Sequence, residues 1–239
     1  MQRYFAEVNN NQVFLSELDA HHLLHVMRNK VGDKIEVANN KQLFLAEVKS
    51  INPLIIGVTE ELQEESELPV DVTLFVCLLK GDKNEFVMQK ATEIGANRIY
   101  FINSKRSVAH LDQQSFDKKL ARYKLIVKEA SEQSHRLVVP EILGIKSLKQ
   151  INKSDMSDIN FIAYEDEHTK SPNLNEIKNI KDKSISIIIG PEGGFDKDEV
   201  DYLNSIGFKS VSLGKRILRA ETACLYSLSV ISYLLESEK

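Results

Sequence analysis

Most of what would mark a membrane, secreted or metal-holding protein is missing from this chain. No apolar run among the 239 residues approaches the roughly 18 to 20 needed to cross a bilayer. The opening Met-Gln-Arg-Tyr-Phe lacks the apolar core of a secretion signal. The two cysteines, Cys77 and Cys224, each sit in an apolar segment. They read as buried reduced thiols, and two isolated cysteines make no zinc site. His21 and His25 share a helix face, but no third ligand follows at a usable spacing, so no metal is expected. These absences point to a cytoplasmic protein with no membrane partner. A global positive field is missing too. Lys and Arg number 31 against 35 Asp and Glu, a net charge of −4, so any nucleic-acid partner has to be met by local basic patches.

Charge and pattern divide what is present. Residues 1–69 hold 6 of the basic residues and 11 of the acidic ones, and Glu60, Glu61, Glu64, Glu65 and Glu67 crowd into one proline-closed stretch. That stretch, residues 60–69, reads as a linker between a domain at 1–69 and another at 70–239. Before it come short β-leaning pieces at 3–8, 12–15, 34–37, 43–51 and 54–58, with one helix at 20–29 and a Gly32-Asp33 turn. Many short strands with one helix suggest a small β-barrel. After the linker, apolar runs at 72–79, 98–102, 160–164 and 186–189 have the continuous character of strands buried on both faces. Helical patterns alternate with them. In 115–136 the residues Phe116, Leu120, Tyr123, Val127 and Ala130 form one apolar stripe. The order implies an α/β domain with a largely parallel sheet. In the last helix, 221–235, Ala223, Leu225, Tyr226, Leu228, Val230, Ile231 and Leu234 surround the axis, which favours burial against a second subunit.

Two loops carry the chemistry. In the first, the strand ending at Ile189 runs into Gly190-Pro191-Glu192-Gly193-Gly194-Phe195-Asp196, and Asp196 can cap a helix carrying Glu199, Val200 and Leu203. The carboxyl end of a parallel strand is where α/β domains bind ligands. The loop matches neither GxGxxG nor a phosphate-binding P-loop. A nucleoside lacking phosphate and held by backbone groups fits better, the alternative being a tight strand-to-helix turn. In the second loop, Leu213-Gly214-Lys215-Arg216-Ile217-Leu218-Arg219-Ala220 places three cations before the last helix. Cations beside a positive helix N-terminus are locally unfavourable, so an anionic partner is implied. The alternative is a solvated basic loop.

GPEGGF followed by LGKRILRAETA resembles the RsmE family of 16S rRNA uracil-N3 methyltransferases, in the SPOUT superfamily. Leu79-Lys80-Gly81-Asp82 with Gln89-Lys90-Ala91-Thr92-Glu93-Ile94-Gly95 is similar to the family's first strand and helix. Lys128-Glu129-Ala130-Ser131-Glu132-Gln133-Ser134-His135-Arg136 is similar to its E-A-x-E-Q-S-x-R segment. His22, Val26, Arg28, Gly32 and Asp33 match its N-terminal pattern. The resemblance implies a PUA-like RNA-binding β-barrel at 1–69 and a trefoil-knotted methyltransferase domain at 70–239. It implies a homodimer, S-adenosyl-L-methionine as cofactor, and 16S rRNA or the small ribosomal subunit as partner.

On that reading Ala163, Tyr164 and Glu165, then Ile189, Gly190, Pro191, Glu192 and Gly193, then Leu213, Gly214, Leu218, Thr222 and Ala223 would surround the cofactor. Arg219, with Arg216 second, would stabilise charge developing on the uracil oxygens, and Glu129 could take the N3 proton. Arg28, Lys80, Lys90, Arg106, Gln133 and Arg136 are candidate RNA contacts. Spacing alone also allows the stripe Glu129, Gln133 and Arg136 to be a solvated helix face. Two competing classes are a non-catalytic RNA-binding or ribosome-assembly factor of the same fold and an enzyme using a phosphorylated nucleotide. Ligand preference separates the three.

Overall fold

A computed structural model describes residues 1–164, 172–174 and 182–237. The chain divides into two compact units, Met1–Glu67 with Lys128–Val139, and Leu68–Val127 with Pro140–Lys239.

The first unit is built on β1 (Arg3–Phe5), β2 (Glu7–Asn9), β3 (Gln12–Phe14), β4 (Lys34–Asn39), β5 (Gln42–Ile51) and β6 (Leu54–Leu62). They form one sheet in the order β1-β4-β5-β6-β3-β2. A single residue separates β1 from β2, yet the two occupy opposite edges, so the sheet curls round on itself. Alternate side chains point inward, and Tyr4, Val13, Ile35, Val37, Ala46, Val48 and Ile56 fill the interior. The helix α1 (Glu17–His21) starts earlier than the 20–29 pattern suggests. Ser16 caps it, its hydroxyl accepting the Asp19 N–H at 3.1 Å, as an N-cap serine does. It then widens to a π-turn at His22–Val26.

The acidic stretch begins inside the first sheet, and the division between the two units falls at its end, after Glu67. Glu60 and Glu61 lie inside β6, paired with Leu45 and Phe44 of β5. Glu64 meets Arg3 at 2.6 Å, and Glu67 meets Arg136 at 2.5 Å. Both arginines are buried, at 1% and 3% exposure. A buried guanidinium needs a counter-charge, so the stretch that reads as a linker also supplies two ionic anchors.

The second unit holds a six-stranded sheet in the order β12-β10-β11-β7-β8-β9. Its strands are β7 (Val72–Cys77), β8 (Arg98–Asn103), β9 (Glu141–Ser147), β10 (Ile159–Ala163), β11 (Ile185–Ile189) and β12 (Lys209–Val211). Every pairing is parallel, which makes this an α/β fold. All residues of β7 and β11 are buried, as central strands covered on both faces must be. The edge strand β9 has polar ends and Gly144 among only three large apolar residues, and it is only partly covered.

The helices are α2 (Lys83–Glu93), α3 (Gln113–Gln133), α4 (Lys197–Ile206) and α5 (Ala220–Glu236). Val200 and Leu203 of α4 pack with Phe75, Ile162, Ile188, Phe195 and Phe208. The expected cap is present, the Asp196 and Glu199 side chains each accepting from the other's backbone. In α3 the stripe residues Phe116, Tyr123, Val127 and Ala130 are buried. The helix ends at Gln133, because His135 adopts a positive φ of 56°, so Arg136 lies beyond it. Both cysteines are buried thiols, and burial pushes each thiol pKa far up.

Candidate active site

Three adjacent parallel strands, β12, β10 and β11, end on the same edge of the sheet, and the loops leaving them must share one space. The backbone ties two of these segments together, the Tyr164 N–H donating to the Val211 carbonyl at 3.1 Å. The result is a cleft of about 1270 Å³. It is walled by Ala163 and Tyr164 after β10, by Ile189, Gly190, Pro191, Glu192, Gly193, Gly194 and Phe195 after β11, and by Leu213, Gly214, Arg216, Ile217, Leu218, Arg219, Ala220 and Ala223 after β12. Lys83 and Arg106 enter from neighbouring segments.

The glycine-rich loop needs its glycines for the protein's own packing. A Cβ on Gly190 would lie 3.0 Å from the Phe195 ring, and one on Gly193 would lie 3.0 Å from Arg106 Cβ and 3.1 Å from its carbonyl oxygen. At Gly193 the close approach is made by the segment after β8. That segment is stitched on further. Arg106 Nη1 donates to the Gly193 carbonyl at 3.4 Å, and its guanidinium pairs with Asp196. The Lys105 backbone N–H donates to Glu199 Oε1 at 2.9 Å, and Lys105 pairs with Asp198. Those contacts hold Lys105 charged, raising its pKa through the Asp198 hydrogen bond, and lower that of Asp198.

On the opposite wall, Arg219 is the N-cap residue of α5. Among the described residues no hydrogen bond or ion pair engages the guanidinium of Arg219 or Arg216, and both side chains are exposed at the cleft. Glu221, in the first turn of α5, faces Lys83 at 3.2 Å. Burial raises the Glu221 carboxyl pKa, but its own backbone N–H, Lys83 and the charge of Arg219 outweigh that and hold it below the usual range.

The other expected site residues separate as follows. Thr222 is exposed and does not line the cleft, and Glu165 lies outside the described residues. Lys80 is exposed, its N–H directed at Glu192 Oε1 at 3.4 Å, and Lys90 pairs with Glu93 at 2.7 Å. Arg28, Glu129, Gln133 and Arg136 belong to the first unit. The first three are exposed, while Arg136 is engaged by Glu67. Sequence reasoning missed Lys83 and Ile217. Lys83 directly follows the Leu79-Lys80-Gly81-Asp82 motif and was the nearest available signal. Ile217, fully exposed, is an apolar residue between two arginines, a pattern that a solvated basic loop would not need.

The lining suits a nucleoside cofactor without phosphate. Backbone groups and the apolar side chains of Ile189, Leu213, Leu218, Ala220 and Ala223 can enclose a base, with Arg106 and Arg219 on opposite walls.

The chain matches the RNA methyltransferase domain model over residues 66–232 and the RNA methyltransferase PUA domain model over residues 15–58. It is 37% identical to the ribosomal RNA small subunit methyltransferase E of Bacillus subtilis, over 99% of this chain and 98% of that protein. It is 34% identical to the protein of the same name from Mesomycoplasma hyopneumoniae, over 96% and 98%. Among solved structures, the ribosomal RNA small subunit methyltransferase E of Neisseria gonorrhoeae bound to S-adenosyl methionine superposes with a TM-score of 0.85 at 27% identity, covering 98% of each chain.

Proposed function

Because this chain belongs to the ribosomal RNA small subunit methyltransferase E family, we propose that it transfers a methyl group from S-adenosylmethionine to N3 of a uridine in 16S ribosomal RNA. The observation that carries the reading is the convergence of the three loops after β10, β11 and β12 on one cleft, with two uncommitted arginines at its mouth. When bound, the cofactor supplies an electrophilic methyl group. Backbone groups of Gly190, Gly193, Leu213 and Leu218 hold its adenosine, and Ala163, Tyr164, Ile189, Gly214 and Ala223 complete the enclosure. We take these three loops to be the threaded part of a trefoil knot.

The uracil N3–H is weakly acidic, and its proton must leave before or during attack. Negative charge then spreads onto the two flanking carbonyl oxygens. A positioned guanidinium lowers that barrier in a water-poor cleft, which is the role given to Arg219, with Arg216 beside it. Glu129 is the carboxylate proposed to take the proton. Arg28, Lys80 and Gln133, all exposed, are proposed to position the RNA, chiefly through its phosphates.

The domain reading is a PUA-like barrel at 1–69 joined to the methyltransferase domain at 70–239, working in the cytoplasm as a homodimer. The dimer is supported by α5, which buries Ala223, Cys224, Leu228 and Ile231 yet leaves Tyr226 42% and Tyr233 69% exposed, and by Phe86 of α2, also exposed. No helix among the described residues is long and apolar enough to cross a membrane.

Calorimetric titration with S-adenosylmethionine, with ATP and NAD as controls, tests the cofactor. Saturation by S-adenosylmethionine alone, followed by incorporation of its methyl group into 16S rRNA, is the expected result. Binding of RNA with no cofactor binding in its presence or absence would sink the reading.

A further inference from the structure

Lys83, the first residue of α2, reaches two carboxylates, Glu192 on the glycine-rich loop and Glu221 in the first turn of α5. Its ammonium lies 3.2 Å from Glu221 Oε2 and 3.7 Å from Glu192 Oε1. Glu221 Oε2 is buried, and the Lys83 ammonium is its counter-charge. A carboxylate oxygen out of water without a counter-charge is costly. Arg219, the N-cap residue of α5, stands two residues before Glu221 and is exposed with its guanidinium uncommitted. In the absence of Lys83 the carboxylate would therefore recruit that guanidinium, turning it away from the cleft.

We infer that Lys83 is a positioning residue, which by occupying the Glu221 carboxylate leaves the Arg219 guanidinium open to the substrate. The inference rests on the methyltransferase reading for the purpose of that arrangement, while the arrangement itself can be tested without turnover. Lys83 is 34% exposed and Glu221 only 16%. The ammonium thus stays partly hydrated while the buried carboxylate keeps its partner, a division of hydration that suits the compact head of lysine.

The test is the rate at which phenylglyoxal modifies Arg219, followed by peptide mass spectrometry, with Arg216 on the same loop as internal reference. In the unmodified protein both arginines react freely. Lys83→Met should slow Arg219 by about threefold to fivefold relative to Arg216, the occupancy change an ion pair of this exposure supports. Lys83→Met with Glu221→Gln should restore the rate, because a neutral amide does not capture the guanidinium. Lys83→Arg should react as the unmodified protein does. Lys83→Gln repeats the charge removal if the Met side chain disturbs packing. An unchanged Arg219 rate in both neutral variants overturns the inference, as does a slow rate that the second substitution fails to relieve. Methylation assays on the same proteins address the reading separately. If the unmodified protein turns over, kcat should follow Arg219 reactivity across the series while the S-adenosylmethionine Kd moves little. If it does not turn over, the reactivity ratios still decide the arrangement.

Discussion

Arg219 and Arg136 look alike in the sequence, each a cation beside a helix end, and the structure gives them opposite work. Arg219 is exposed at the cleft with its guanidinium uncommitted, so Arg219→Ala should leave the thermal midpoint within a degree or two. It should lower kcat/KM for RNA methylation by about 10²- to 10³-fold, the usual cost of losing one aimed donor. Full activity in that variant would remove the assigned role. Arg136 is buried against Glu67, which also accepts the Leu137 N–H at 2.8 Å. Arg136→Leu should lower unfolding free energy in urea by about 3 kcal/mol, since it leaves a half-buried carboxylate unpaired. An unchanged urea midpoint would contradict that. At Gly193 an alanine Cβ would press on Arg106 backbone at 3.1 Å. Gly193→Ala should cost about 1–3 kcal/mol and weaken S-adenosylmethionine binding, both readable from one calorimeter. A variant as stable and as tight-binding as the parent would show that the loop has slack.

Elements were legible where burial was two-sided and obscure where it was not. The central strands β7 and β11 announce themselves as apolar runs, because no residue in them meets water. The cap at Asp196 was legible from four residues of spacing, since capping is local chemistry. The edge strand β9 and the Ser16 cap of α1 were not read, β9 because its apolar part is only Ile142, Leu143 and Ile145, interrupted by Gly144. The turn after β9 holds a further buried group. Asp155 accepts from Tyr100 Oη at 2.8 Å and from the Asn152 N–H at 3.0 Å and pairs with Lys146. Burial raises the Asp155 pKa, but these partners outweigh it and lower it from 3.8. A carboxylate with a depressed folded pKa stabilises above its unfolded pKa, and loses that contribution as the pH falls through the folded one. Urea stability should therefore have an acid-side decline below pH 3.8 that Asp155→Asn flattens. The variant should also lose about 1–3 kcal/mol at neutral pH. Parallel pH profiles for the two proteins would dismiss Asp155 as a contributor.

In the whole molecule, α5 buries one side within its own chain and presents Tyr226 and Tyr233 on the other. Light scattering should give twice the chain mass, and Tyr233→Glu should shift the population toward monomer, since a charge at an apolar interface core is costly. A monomeric parent protein would leave that face without its proposed partner. The sequence by itself determined the alternation of strand and helix, the parallel sheet, the strand-to-helix loop at Gly190 and the basic loop before α5. These depend on periodicity and local backbone chemistry, which neighbours in the chain carry. Tertiary structure alone decided that Glu64 and Glu67 are counter-charges to Arg3 and Arg136, that Arg106 braces the glycine loop, and that Lys83 meets Glu192 and Glu221. Such pairings join residues far apart in the chain, and a charge in a sequence does not say which distant group will be brought within 4 Å of it or whether water will be excluded there.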